Sequence, residues 1–169
     1  DHIFELLPRA DTTLETINEA STTSRAHVFT QIQEGIKHLT NFKVIHRDIK
    51  PANILIFGNW ENAKAVICDF GVSKNLGAGK ERCDTVIGTR FYFSYRRKNG
   101  EEYSFEADMW SLGTMMLQSI NSQCCTLTTW EYLETNEKHK EWLSGQIESL
   151  SDESKLTFKS IIETAQKIL

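Results

Sequence analysis

The stretch VIHRDIKPANILI, residues 44 to 56, sets His46, Arg47, Asp48, Lys50 and Asn53 between two apolar runs. A plain surface turn needs only one or two polar residues. Five groups of these types beside a core call for a cleft or for internal partners, because a buried polar group without a hydrogen bond is costly. Asp48 can orient a hydroxyl and accept its proton. The amide oxygen of Asn53 can ligate a hard cation, and the Lys50 ammonium can neutralise a transferring phosphate. Further on, Asp69 ends the apolar run AVIC and precedes Gly71, so a second carboxylate stands at a sharp turn, suited to a cation that prefers oxygen ligands. Together these groups are what metal-assisted phosphoryl transfer requires.

The rest of the chain reads as one mainly helical domain with a few short strands. HIFELL is an apolar run stopped by Pro8, which predicts a strand. Thr12 to Glu19 predicts a short helix. Residues 21 to 42 predict a longer one, with hydroxyl N-caps in 21–24 and Val28, Ile32, Ile36 and Leu39 on one face. Strands are expected at 44–45, 53–57 and, after a turn at Gly58-Asn59, at 65–68. Residues 71 to 104 lack apolar periodicity, and so long a loop is usually functional or disordered. FEADMWSLGTMMLQSI (105–120) is apolar on nearly all sides, as a buried helix is. Residues 129–143 and 151–169 predict amphipathic helices, the second capped by Ser151.

At 169 residues, 40% apolar and 25% charged, the chain suits a single globular domain. A net charge of −4 gives no support for a nucleic-acid partner, although Arg90, Arg96, Arg97 and Lys98 form a local basic patch. Cys68, Cys83, Cys124 and Cys125 show no C-x-x-C spacing, so no zinc cluster is expected and reduced, intracellular thiols are the default. No apolar stretch reaches membrane-spanning length, and the first residues lack the order of a signal peptide. The chain begins with Asp rather than Met, which suggests a fragment or processed product. The expected location is intracellular, in the cytoplasm.

On these motifs the chain resembles the C-terminal lobe of a eukaryotic-type protein kinase of the serine/threonine type. HRDIKPANILI matches the catalytic loop, DFG the metal-binding triplet, GTRFYFSYR the segment G-T-x-x-Y-x-A-P-E, and YSFEADMWSLG the buried helix signature. The resemblance implies a large-lobe fold over 10–169, truncated before its last helix, with the end of the small lobe and the hinge at 1–9. The complete domain would be α+β and two-lobed. It implies ATP-dependent phosphoryl transfer to Ser or Thr of a protein substrate, with Mg²⁺ or Mn²⁺. Asp48 would be the base or hydroxyl-orienting group, Lys50 would contact the γ-phosphate, and Asn53 and Asp69 would hold the metal. Thr89 would position Asp48 and Lys50, while backbone groups of Glu5 and Leu7 and the side chain of Leu55 would hold adenine. His46, Phe70 and Gly71 would be structural, and Asp108 would be a buried anchor for the catalytic loop.

Arg47 would pair with a phosphorylated activation loop, with Thr85 as the modified site and an upstream kinase as the activator. The pattern departs from the family at Ser94-Tyr95-Arg96, which stands in place of A-P-E; this predicts a solvent-facing Arg96 or an acid further downstream. The sequence also contains no G-x-G-x-x-G loop and no V-A-I-K lysine, so these 169 residues alone are expected to be nearly inactive. The alternative reading is a non-catalytic, kinase-like (pseudokinase) binding or scaffold module. A metabolite phosphotransferase shares only the H-x-D-x-x-x-x-N core.

Overall fold

Helix α1 (Thr22–Asn41) runs through the core of the computed structural model, which describes residues 8–77, 82–121 and 135–168. Its N-cap is Ser21, whose hydroxyl accepts from the Ser24 amide. Val28, Phe29, Ile32 and Ile36 are buried along one face, at the predicted spacing. The helix ends where Lys43 takes a φ of 59°, the left-handed turn that commonly closes helices.

Three short antiparallel strands pack on α1 in the order β1 (Thr12–Thr13), β3 (Ile54–Phe57) and β4 (Lys64–Ile67). A second pair joins β2 (Val44–Ile45) to β5 (Lys74–Asn75). In β3, Ile54 and Ile56 are fully buried, while Leu55 alternates to the opposite face and is half-buried. Gly35 of α1 lies so close to β4 that a Cβ there would stand 2.9 Å from Cδ1 of Ile67.

Helix α3 (Glu106–Ile120) is buried over most of its surface, including Trp110, Leu112, Met115, Met116 and Leu117. Helices α4 (Asn136–Glu148), α5 (Asp152–Thr157) and α6 (Lys159–Ile168) follow. Phe158 is 1% exposed and meets Phe29 edge to face at 6.2 Å. A polar clamp joins α1 to α6: the Gln33 amide donates to the Ser160 carbonyl and Thr164 Oγ1, and its oxygen accepts from Ser160 Oγ. No helix among the described residues is long and apolar enough to cross a membrane.

Four expectations need correction. Residues 12–19 are not one helix but strand β1 and a 3-10 helix, Leu14–Glu19. The β-branched Thr12 and Thr13 pair with β3, and the Thr13 hydroxyl caps the turn that follows. The single helix over 151–169 is broken at Phe158, whose ring turns into the core while Leu156 stays 76% exposed. The helix expected at 129–143 extends to Glu148, and 129–134 lie outside the described residues. The long loop, finally, holds β5, a 3-10 turn (Arg90–Tyr92) and α2 (Tyr95–Lys98), closed by a bridge between Cys83 and Tyr103.

Candidate active site

The segment from β2 to β3 carries the site, and it is held from below by Asp108. This carboxylate, on the first turn of α3 and 1% exposed, accepts from the His46 amide at 2.7 Å and from the Arg47 amide at 2.9 Å. Burial pushes its pKa up, while the two amides and the charge of Arg97 oppose that shift. His46 is fully buried, and its ring bridges two pieces of chain. Its Nδ1 accepts from the Asp48 amide, so its Nε2–H donates to the Cys68 carbonyl at 2.9 Å. Arg47 takes a φ of 69° and Asp69 one of 62°; non-glycine residues seldom occupy this region, and such strain gathers at functional sites.

All the predicted catalytic groups meet at Asp48. Its Oδ1 accepts from the Thr89 amide and the Thr89 hydroxyl, each at 2.8 Å. Its Oδ2 takes Lys50 Nζ at 2.8 Å and Asn53 Nδ2 at 3.0 Å. Lys50 Nζ also donates to Thr89 Oγ1 at 3.0 Å, which closes the ring. Burial raises the Asp48 pKa, but the bonds from Lys50 and Thr89 and the Lys50 charge outweigh it and hold the carboxyl below its ordinary 3.8. The sign follows from linkage: a depressed carboxyl stabilises the fold above the unfolded value and loses that contribution as pH falls through the lower folded value. Stability is therefore expected to drop on acidification below 3.8, and Asp48→Asn should flatten that part of a pH titration followed by circular dichroism.

Asn53 and Asp69 are brought side by side by the pairing of β3 with β4. The Cys68 amide donates to the Asn53 carbonyl, one residue before Asp69. With both amide protons of Asn53 turned to Asp48, its side-chain oxygen takes part in no hydrogen bond among the described residues. Asp69 is exposed and spends Oδ1 on the Gly71 amide, leaving Oδ2 open. Two open oxygen donors fit a hard divalent cation. Phe70 meets His46 edge to face at 4.9 Å and is 47% exposed among the described residues. Glu5 and Leu7 lie outside the described residues.

Cys68 borders this ground, with Sγ donating to the Asn53 carbonyl at 3.4 Å. Burial, then the charge of Asp69, push its thiol pKa up from 9.0. Iodoacetamide should therefore label Cys68 more slowly than free cysteine at neutral pH. A labelling rate, followed by mass spectrometry, equal to or above that of free cysteine would contradict this.

Beside Lys50 and Thr89 opens a pocket of about 420 Å³, walled by Leu14, Ile17, Phe29 and Met115 with Glu15 and Gln118 at its polar side. Thr85 is exposed, its hydroxyl on Asp84. Arg47, 8% exposed, spends Nε on the Val72 carbonyl at 2.6 Å.

Sequence reasoning grouped Arg97 with a basic surface patch, yet the structure buries it at 1% exposure. Its guanidinium lies 4.0 Å from the centre of the Phe93 ring and 5.6 Å from that of Tyr103, and it donates to the Ile87 carbonyl. It thereby holds the strand of chain that carries Thr89 to Asp48. Between them Gly88 has a φ of +105°; a Cβ there would collide with the Arg47 carbonyl and the Arg97 guanidinium and lie 3.1 Å from Asp48 Oδ1. No local periodicity separates this arginine from its exposed neighbour Arg96, because Phe93 stands in extended backbone ahead of the four-residue α2. Arg97→Ala should cost about 3–5 kcal/mol, from a desolvated cation–π contact and a charged hydrogen bond. Arg97→Lys should recover little, lacking the planar fork. A thermal melt unchanged in either variant would refute the assignment.

Comparison with known proteins agrees with this geometry. The family model for the protein kinase domain matches residues 3–169. A mitogen-activated protein kinase kinase of Aspergillus fumigatus is 41% identical over 87 residues, 52% of this chain and 16% of that protein. A MAP kinase kinase of Saccharomyces cerevisiae is 42% identical over 92 residues, 54% of this chain and 17% of the relative. One from Physcomitrium patens is 38% identical over 108 residues, 63% of this chain and 29% of the relative. The chain thus spans less than a third of the length of each of these relatives. Among solved structures, the yeast RNA Pol II CTD kinase complex contains a chain that superposes with a TM-score of 0.58 at 30% identity, covering 67% of this chain and 38% of that one. With the ring of groups around Asp48, the buried anchor beneath it and a family match over nearly the whole chain, this protein belongs to the protein kinase family.

Proposed function

We propose that these residues are the large-lobe part of an active kinase that transfers the γ-phosphoryl group of ATP to a serine or threonine of a protein substrate. The observation that carries the reading is the closed ring in which Lys50, Asn53 and Thr89 all bond Asp48. An ionised Asp48 orients the substrate hydroxyl toward the phosphate and receives its proton as the new bond forms. Lys50 stands next to it, placed to follow charge on the transferring phosphoryl group. Thr89 keeps both in register. Asn53 and Asp69 would hold Mg²⁺ or Mn²⁺, which when bound supplies charge neutralisation on the phosphate oxygens. The half-buried Leu55, on the face of β3 away from the core, and the backbone of Glu5 and Leu7 are assigned to adenine.

The pocket beside Lys50 and Thr89 is where the substrate segment lies. Relatives named as kinases of MAP kinases support a substrate that is itself a kinase. The exposed Thr85 is the assigned phosphorylation site, Arg47 its partner and an upstream kinase its donor. The 169 residues by themselves contain no Gly-rich phosphate loop and are assigned very low activity. Phosphate transfer from Mg-ATP to a generic basic protein, by the longest natural polypeptide carrying this chain, tests the reading. Transfer no greater than that of its Asp48→Asn form would leave the kinase-shaped binding module instead.

A further inference from the structure

The stretch of chain that carries Thr89 to Asp48 has little structure of its own. Among the described residues, 84–88 make no backbone-to-backbone hydrogen bond, and Asp84, Thr85 and Val86 are exposed. Its course is therefore set by side chains from elsewhere, and Tyr103, in the run leading into α3, meets it at its start. We propose that Tyr103 is a positioning residue for phosphoryl transfer, a clasp that ties residues 83–87 to the base of the catalytic loop and so keeps Thr89 on Asp48. This role rests on the kinase reading above.

Tyr103 is 0% exposed, and its ring lies in a small core with Ile45, Leu76, Cys83 and Ala107. Ile45 is the last residue of β2, and the chain runs from it straight into His46, Arg47 and Asp48. The tyrosine thus stands on the same support as the catalytic loop. From there it makes three holds. Its amide donates to the Cys83 carbonyl at 2.7 Å, and the Cys83 amide donates back to its carbonyl at 2.8 Å. Its hydroxyl donates to the Thr85 carbonyl at 2.7 Å, while the Thr85 hydroxyl stays outside on Asp84. The third hold runs through Arg97, whose guanidinium lies 5.6 Å from the centre of the Tyr103 ring and donates to the Ile87 carbonyl.

Residues 83, 85 and 87 are therefore each fixed by Tyr103 or by the arginine against its ring. Beyond them comes Gly88, the most permissive link in the path, so the place of Thr89 depends on how firmly Ile87 is held. A phenylalanine at 103 would fill the same space in the core; the hydroxyl is the part that reaches the loop. Burial pushes the phenol pKa up, while the charge of Arg97 and the hydrogen bond and charge of Arg47 oppose that shift. The net direction is upward, so at neutral pH the hydroxyl keeps the proton that it donates to Thr85.

The test is Tyr103→Phe in the longest natural polypeptide carrying this chain, assayed where circular dichroism shows the variant and the unsubstituted protein equally folded. Turnover from Mg-ATP to a generic basic protein should fall by about three- to tenfold, the range spanned by one lost hydrogen bond. The Michaelis constant for ATP should change by less than about twofold, because the clasp acts on Thr89 and Asp48. Hydrogen exchange at the Thr89 amide, which donates to Asp48 Oδ1, should quicken by a like factor. Asp48→Asn run in parallel separates the two readings. Unchanged turnover in Asp48→Asn would sink the kinase reading, and exchange at Thr89 would still judge the clasp. A collapsed Asp48→Asn beside an unchanged Tyr103→Phe would overturn the positioning role alone. So would a loss confined to the Michaelis constant, or exchange at Thr89 equal to that of the unsubstituted protein.

Discussion

In the longest natural polypeptide carrying this chain, Asp48→Asn should lower phosphoryl transfer by about 10²–10⁴-fold, the range in which a positioned acid–base group contributes. The substitution keeps shape and loses charge. In the native ring both carboxylate oxygens face only donors: the Thr89 amide and hydroxyl on one side, Lys50 and the Asn53 amide on the other. An asparagine can offer an oxygen to one side only, and its NH₂ then confronts donors on the other. In the proposed mechanism the substrate hydroxyl loses its acceptor, and Lys50 loses the partner that holds it beside Thr89. The Michaelis constant for ATP should move far less than the turnover, since the proposed role of the carboxylate is toward the hydroxyl and not the nucleotide. Retention of wild-type turnover within a few-fold, from a folded protein, would remove Asp48 from the chemistry.

Asp108→Ala should have the largest effect on stability, about 2–6 kcal/mol. It strands two buried amides, those of His46 and Arg47, each costing about 1–3 kcal/mol when left without an acceptor. Solvent does not reach them, because Asp108 and His46 are 1% and 0% exposed. The loss should also be local. Arg47 sits at a φ of 69° and stays there only while its surroundings hold it, so release of its amide should let the catalytic loop relax. Hydrogen exchange at the His46 and Arg47 amides is the direct measurement. Protection unchanged in Asp108→Ala would show that the carboxylate is not their acceptor in solution. Asp108→Asn should recover only part of the loss, since its single oxygen can serve only one of the two amides well.

Much of the chemistry was legible because it is written in short, contiguous stretches. Asp48, Lys50 and Asn53 lie within six consecutive residues, and the need of each for a charged or amide partner is a property of its own side chain. Helix α1 was likewise legible, with its serine cap and its apolar face at regular spacing. The short segments were not. Thr12 and Thr13 have a choice between helix and strand that only pairing with Ile56 and Leu55, far along the chain, decides. The break at Phe158 is decided by Phe29 in the same way.

Arg97 marks the boundary most sharply. In sequence it is one of three consecutive basic residues, Arg96, Arg97 and Lys98, all equally suited to water. In the fold its neighbour Arg96 stays exposed, while Arg97 is buried under Phe93 and Tyr103 and reaches the Ile87 carbonyl. The sequence by itself determined which groups could perform phosphoryl transfer, because donor, acceptor and charge belong to single residues. Only the tertiary structure decided which of those groups meet, since Thr89 reaches Asp48, and Asp108 reaches His46 and Arg47, across long stretches of chain. Burial and convergence are properties of packing, and packing is settled by every element at once.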